Sequence, residues 1–158
     1  MKNFLSNEYN VLTARVFLGA LLVIASIDKI ADPLAFAKSI ADYRILAGPS
    51  ATALATIIPW MELLTGLCLI AGILIRGSSF VAGTLLTIFT GAVLSALIRG
   101  LDISCGCFTQ DPAAATIGWF KILQNSVLLG VSVFLYFSNS LWFSVEHYLL
   151  SRTTGPED

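Results

Sequence analysis

Two cysteines one residue apart, Cys105 and Cys107, flank Gly106 in the segment Arg99-Gly-Leu-Asp-Ile-Ser-Cys-Gly-Cys-Phe108. Residues of this type and spacing can carry thiol–disulfide chemistry. A disulfide needs its two Cα atoms within about 7 Å, and Gly106 gives the backbone freedom to bend that far. The ring so closed is very small. Strained, exposed disulfides are the ones that exchange, by attack of a thiolate through a mixed disulfide. A bridge across so short a loop adds little stability through chain entropy, so a structural disulfide, or a pair of inert thiols, is the weaker reading. Metal binding is weaker again. Zinc wants four ligands, and the chain has a single histidine, His147. Soft thiolates suit Cu(I), but Met1 and Met61 are the only methionines to assist them.

A second candidate is Glu62, which follows Pro59-Trp60-Met61 inside an apolar run. An ionisable side chain at membrane depth asks for a named partner. Lys29 is the expected one, with Arg44 and the cysteine segment nearby. If Pro59 opens the regular part of its helix, Glu62 lies one turn inside the membrane. It then serves either as half of an ion pair tying helices together or as a proton acceptor for thiol or quinone chemistry. Arg15 is expected to snorkel to the interface. Cys68, between Leu67 and Leu69, reads as a small hydrophobe in a packed helix, with an electron relay as the alternative. Trp60, Trp119 and Trp142 fit an aromatic belt, an aromatic cofactor cradle being the rival.

The elements that must position these residues follow from composition. Of 158 residues, 56% are apolar and only 12% charged, against about a quarter charged in soluble domains. Mean hydropathy is +0.83. A soluble domain of this length has no interior large enough for that much apolar surface, and disorder requires the opposite composition. The net charge of −1 leaves no electrostatic footprint for nucleic acid. One membrane domain over 1–150, with a frayed tail at 151–158, remains.

Four segments are long and apolar enough to cross a bilayer as helices: 11–31, 51–75, 78–98 and 116–138. The first lacks a small-residue cleavage pattern and reads as a retained helix, not a signal peptide. The expected fold is therefore an all-α integral membrane protein, a four-helix bundle with a short amphipathic surface helix between helices 1 and 2. Asp32-Pro33 starts that surface helix; Phe36, Ala37, Ile40 and Tyr43 share its apolar side; Gly48-Pro49 ends it. Arg76-Gly77 reads as the hairpin between helices 2 and 3. Gly83, Thr87, Gly91 and Ser95 form a small-residue stripe for close helix approach. Gln124 and Asn125 read as interhelical hydrogen-bond partners. Positive charges are nearly balanced between the two sides, leaning toward a cytoplasmic cysteine loop.

Taken in order, several of these residues resemble a known family. They are Arg15, Lys29, Asp32-Pro33, Tyr43-Arg44, Pro59-Trp60-Met61-Glu62-Leu63-Leu64-Thr65-Gly66 and Arg99 through Phe108. The pattern is similar to the methylamine-utilisation MauE family, within a broader DoxX-like group of four-helix membrane proteins, from about Val11 to Phe137. One departure is Thr109, where the family usually has glycine after Cys-Gly-Cys-Phe. The resemblance implies extracytoplasmic thiol–disulfide work beside a periplasmic thioredoxin-like partner during maturation of exported proteins. It implies a bacterial inner-membrane location with both termini cytoplasmic and the cysteine loop periplasmic, against the charge count. It makes Cys105, Cys107 and Glu62 the catalytic candidates, supported by Lys29, Arg44, Trp60, Gly106 and Phe108. Quinone-linked sulfur oxidation in the wider group makes a quinone the candidate cofactor. The rival reading is a non-catalytic scaffold or subunit of a quinone-linked or maturation complex.

Overall fold

The computed structural model describes residues 8–45, 48–100 and 119–138. They form five helices: α1 (Glu8–Ala31), α2 (Pro33–Asp42), α3 (Pro49–Ala71), α4 (Ile75–Ile98) and α5 (Trp119–Phe137). Every described element is helical, as lipid demands of a chain that must satisfy its own backbone. Three of them, α1, α3 and α4, are long and apolar enough to cross a membrane, and Ile122–Phe137 of α5 is a shorter apolar helix. The chain is a helical membrane protein. Cys105, Gly106, Cys107, Phe108, Trp142, His147 and the tail lie outside the described residues, as does the start of the expected fourth span.

The four long helices ring a shared core in the order α1, α3, α4, α5. Leu18 and Leu22 of α1 meet Leu69 of α3, Ala82 and Leu86 of α4, and Leu128 and Leu135 of α5. The most extensive contact is between α1 and α3. Two glycines set its closeness: a Cβ on Gly19 would stand 2.7 Å from the Gly66 carbonyl oxygen, and one on Gly66 2.8 Å from that of Gly19. No larger residue leaves the two backbones where they are. Across the bundle the Ser132 hydroxyl donates to the Ser79 carbonyl at 2.6 Å, joining α4 to α5. Gly83 lies beside that bond, where a Cβ would be 2.9 Å from Ser132 Oγ.

Several expectations change here. The turn between α3 and α4 is Gly72–Leu74, not Arg76-Gly77. Gly72 takes φ 72°, and its N–H and that of Ile73 donate back to Leu69 and Cys68 carbonyls at 3.2 and 2.9 Å. That closes the helix in the usual left-handed way, and Arg76 and Gly77 fall in the first turn of α4. The stripe on α4 is packed at Gly83 but not along its length, since Gly91 is exposed with open space around its Cα. The surface helix starts as expected, with the Asp32 carboxylate accepting from Ala35 N–H at 2.9 Å. It ends at Asp42 rather than at Gly48-Pro49, and Gly48 instead caps the start of α3. It is also no mere surface layer: Phe36 and Ser39 are buried, and α2 packs chiefly on α3.

Candidate functional site

Pro59 lies inside α3, not at its start. A proline there removes one helical N–H donor, and membrane helices tolerate the loss. The consequence is depth. Glu62 stands about 20 Å along the axis from Pro49, at a rise of about 1.5 Å per residue, instead of one turn from the end. Lys29 is in the last turn of α1. α1 therefore stops while α3 runs on beyond it, and α2 fills the step so created.

Lys29 and Glu62 meet at that level. The ammonium donates to both carboxylate oxygens, at 2.7 Å each. The two side chains are only 1% and 3% exposed. The cation also sits over two rings, 5.2 Å from the centroid of Phe36 in α2 and 4.6 Å from that of Phe89 in α4, a range in which a ring face attracts a cation. One buried charge pair thus draws on four helices, with α2 lying over it through Phe36. Unpaired, either charge would be very costly in this setting. The bidentate contact and the ring faces offset part of that cost.

Other predicted residues are placed elsewhere. Arg44 is exposed, with a left-handed backbone at φ 52°, and takes no part in the buried pair. Trp60 is exposed on the outward side of α3. Arg15 is 2% exposed and buried among the helices, so it does not snorkel; the core of the bundle closes over it. Cys68 is a free thiol of intermediate exposure. Of the two amides on α5, Asn125 is fully buried and Gln124 partly so.

Two residues escaped the sequence reading. Phe89 carries no polar signal and is found only by packing. Arg99, noted there merely as the start of the cysteine segment, donates to the Tyr43 carbonyl at 3.0 Å, joining the end of α4 to the turn after α2. Tyr43 itself is buried against Val93 and Ala96. Burial pushes its phenol up to about 12, so it is a neutral packing group. Gly100, at φ 64°, turns the chain out of α4 toward the cysteine segment.

Residues 7–138 match the family described as Methylamine utilisation protein MauE. The chain belongs to the MauE family. It is 27% identical over 136 residues to the methylamine utilization protein MauE of Methylophilus methylotrophus, covering 85% of this chain and 72% of that one. It is 26% identical over 134 residues to the MauE of Paracoccus denitrificans, covering 84% and 72%. No solved structure matches the chain. The MauE match spans α1 through α5, so both the Lys29–Glu62 centre and the Cys-Gly-Cys segment fall inside it.

Proposed function

We propose that this MauE-family protein is the membrane component of an extracytoplasmic thiol–disulfide exchange that serves methylamine utilisation. Cys105 and Cys107 form the exchanging pair, and a periplasmic thioredoxin-like protein is the partner. A thiolate of one protein attacks the disulfide of the other, giving a mixed disulfide and releasing one thiolate. The second thiolate of the attacking protein then resolves it. Two electrons and two protons pass between a dithiol and a disulfide, and the same steps run in either direction. Glu62 is the group that accepts or returns a proton, with Lys29 as its counter-ion; Gly106 permits the bend and Phe108 borders it.

The observation that carries this reading is the anchored helix end. Arg99 ties α4 to the α2 turn, and the cysteine pair follows within a few residues in sequence. A helix end tied in this way, with the pair a few residues further along the sequence, suits thiols that a soluble partner must reach. A quinone ring does not fit beside Glu62, where the cavity measures about 10 Å3; no step runs through one.

The test is covalent trapping. Cys105→Ser and Cys107→Ser each remove the resolving thiol for the other, so one of them should accumulate a mixed disulfide with a periplasmic thiol protein on non-reducing gels. If neither variant traps a partner and both support partner oxidation at the parental rate, the exchange reading fails. The scaffold reading then stands, and the buried ion pair becomes a tie between helices.

A further inference from the structure

Beside the Lys29–Glu62 pair lies a small cavity. Its lining is Leu22 and Ala25 of α1, Glu62 of α3, Leu85, Leu86 and Phe89 of α4, and Asn125 of α5. Two members of that lining are polar. Asn125 is 1% exposed, and its Nδ2 has no hydrogen-bond acceptor among the described residues. Buried amide groups are nearly always paired, and an orphan donor costs about 1–3 kcal/mol. Glu62 has spare capacity on the other side: a carboxylate offers about four lone-pair sites, and Lys29 occupies two of them. An unmet donor and an unfilled acceptor therefore line one space.

We infer that this cavity is a binding site for a single water molecule, which accepts from Asn125 Nδ2 and donates to the Glu62 carboxylate. Size sets the number. The space open to the centre of a water molecule is about 10 Å3, which admits a water and is far too small for a larger ligand. Charge sets the class. Lys29 already neutralises Glu62, so a metal cation would add a net positive charge in a low-dielectric interior, which is heavily penalised. An anion would face the carboxylate. A neutral molecule that both donates and accepts fits both walls, and water meets the requirement of at least two polar partners. The Lys29–Glu62 pair thereby becomes a network across α1, α3 and α5, with Asn125 as the residue that positions Glu62 through the water. The inference stands on these walls alone and is independent of the cysteine chemistry.

Infrared difference spectroscopy on the full chain in lipid nanodiscs tests it. The parent should show an O–H stretch that shifts when H2-18O replaces ordinary water, together with a Glu62 carboxylate band, assigned by its loss in Glu62→Gln. Asn125→Leu removes the donor and fills the space, so the isotope-sensitive band should vanish and the carboxylate band should move. Ala25→Val fills the same cavity from α1 with Asn125 intact, and should also abolish the water band. This second variant keeps the test decisive if Asn125→Leu fails to fold. No isotope-sensitive band in the parent, or an unchanged band in Ala25→Val, overturns the assignment.

Discussion

Lys29 and Glu62 form the residue-scale feature on which most else depends. Removing one partner of a buried pair strands the other charge, at a cost of about 3–5 kcal/mol, while replacing both with apolar groups of similar volume is often neutral. Lys29→Met alone, or Glu62→Leu alone, should lower the thermal midpoint in nanodiscs sharply, and the double variant should recover most of the loss. The double variant also separates two roles. If it folds but no longer supports partner oxidation, Glu62 handles a proton; if exchange persists, the pair only ties helices. The sequence made this partnership legible because two opposite charges in apolar runs have few other options. The depth of Glu62 was not legible: if Pro59 opened the regular part of the helix, Glu62 would sit one turn inside, but the helix runs regularly through Pro59. The sequence could not show Phe36 and Phe89 over the cation, because nothing in a phenylalanine's sequence context separates a ring facing lipid from one facing a charge. Arg15 failed for a related reason: its position near a helix end favoured snorkelling, and only the packing of neighbouring helices places it inside.

At the scale of elements, the decisive contact is between α1 and α3. Gly66→Leu would place side-chain atoms against the Gly19 carbonyl and the Val23 side chain, whose present separations from a Gly66 Cβ are 2.8 and 2.9 Å. Overpacking of this kind costs about 1–3 kcal/mol, and it should spread the helices enough to lengthen the Lys29–Glu62 contact. Gly91 makes the contrast. Nothing lies within 4 Å of a Cβ there, so Gly91→Ala should be neutral or stabilise by up to about 1 kcal/mol through helix propensity. Thermal midpoints of the two variants, measured side by side, check both statements. Regular four-residue spacing drew attention to the α4 stripe, whereas Gly19 and Gly66 sit alone in their helices and become a pair only when the chain folds back. Helix existence was plain in the sequence; the turn at Gly72–Leu74 was not, because a left-handed Leu74 has no compositional mark.

At the scale of the whole molecule, α1, α3, α4 and α5 run up and down in turn. The proposed orientation puts the cysteine segment outside the cytoplasm. A membrane-impermeant maleimide should therefore label Cys105 or Cys107 in intact spheroplasts after mild reduction, with Cys68→Ser as background to remove the third thiol. Labelling only after the membrane is broken would reverse the topology and sink the periplasmic partner. The step between α1 and α3 also bears on how such a chain enters its membrane. Lys29 leaves the ribosome well before Glu62, and a lone lysine at the middle of an inserting helix is penalised by about 2.5–3.5 kcal/mol. Its place in the last turn of α1 lets it reach headgroups while it waits. Once α3 arrives the charge can be drawn inward, and only then can α2 settle with Phe36 above it. The same contact that closes the mature core would thus act as a checkpoint in biogenesis, holding back the docking of α2 until both halves of the first helical hairpin are in lipid.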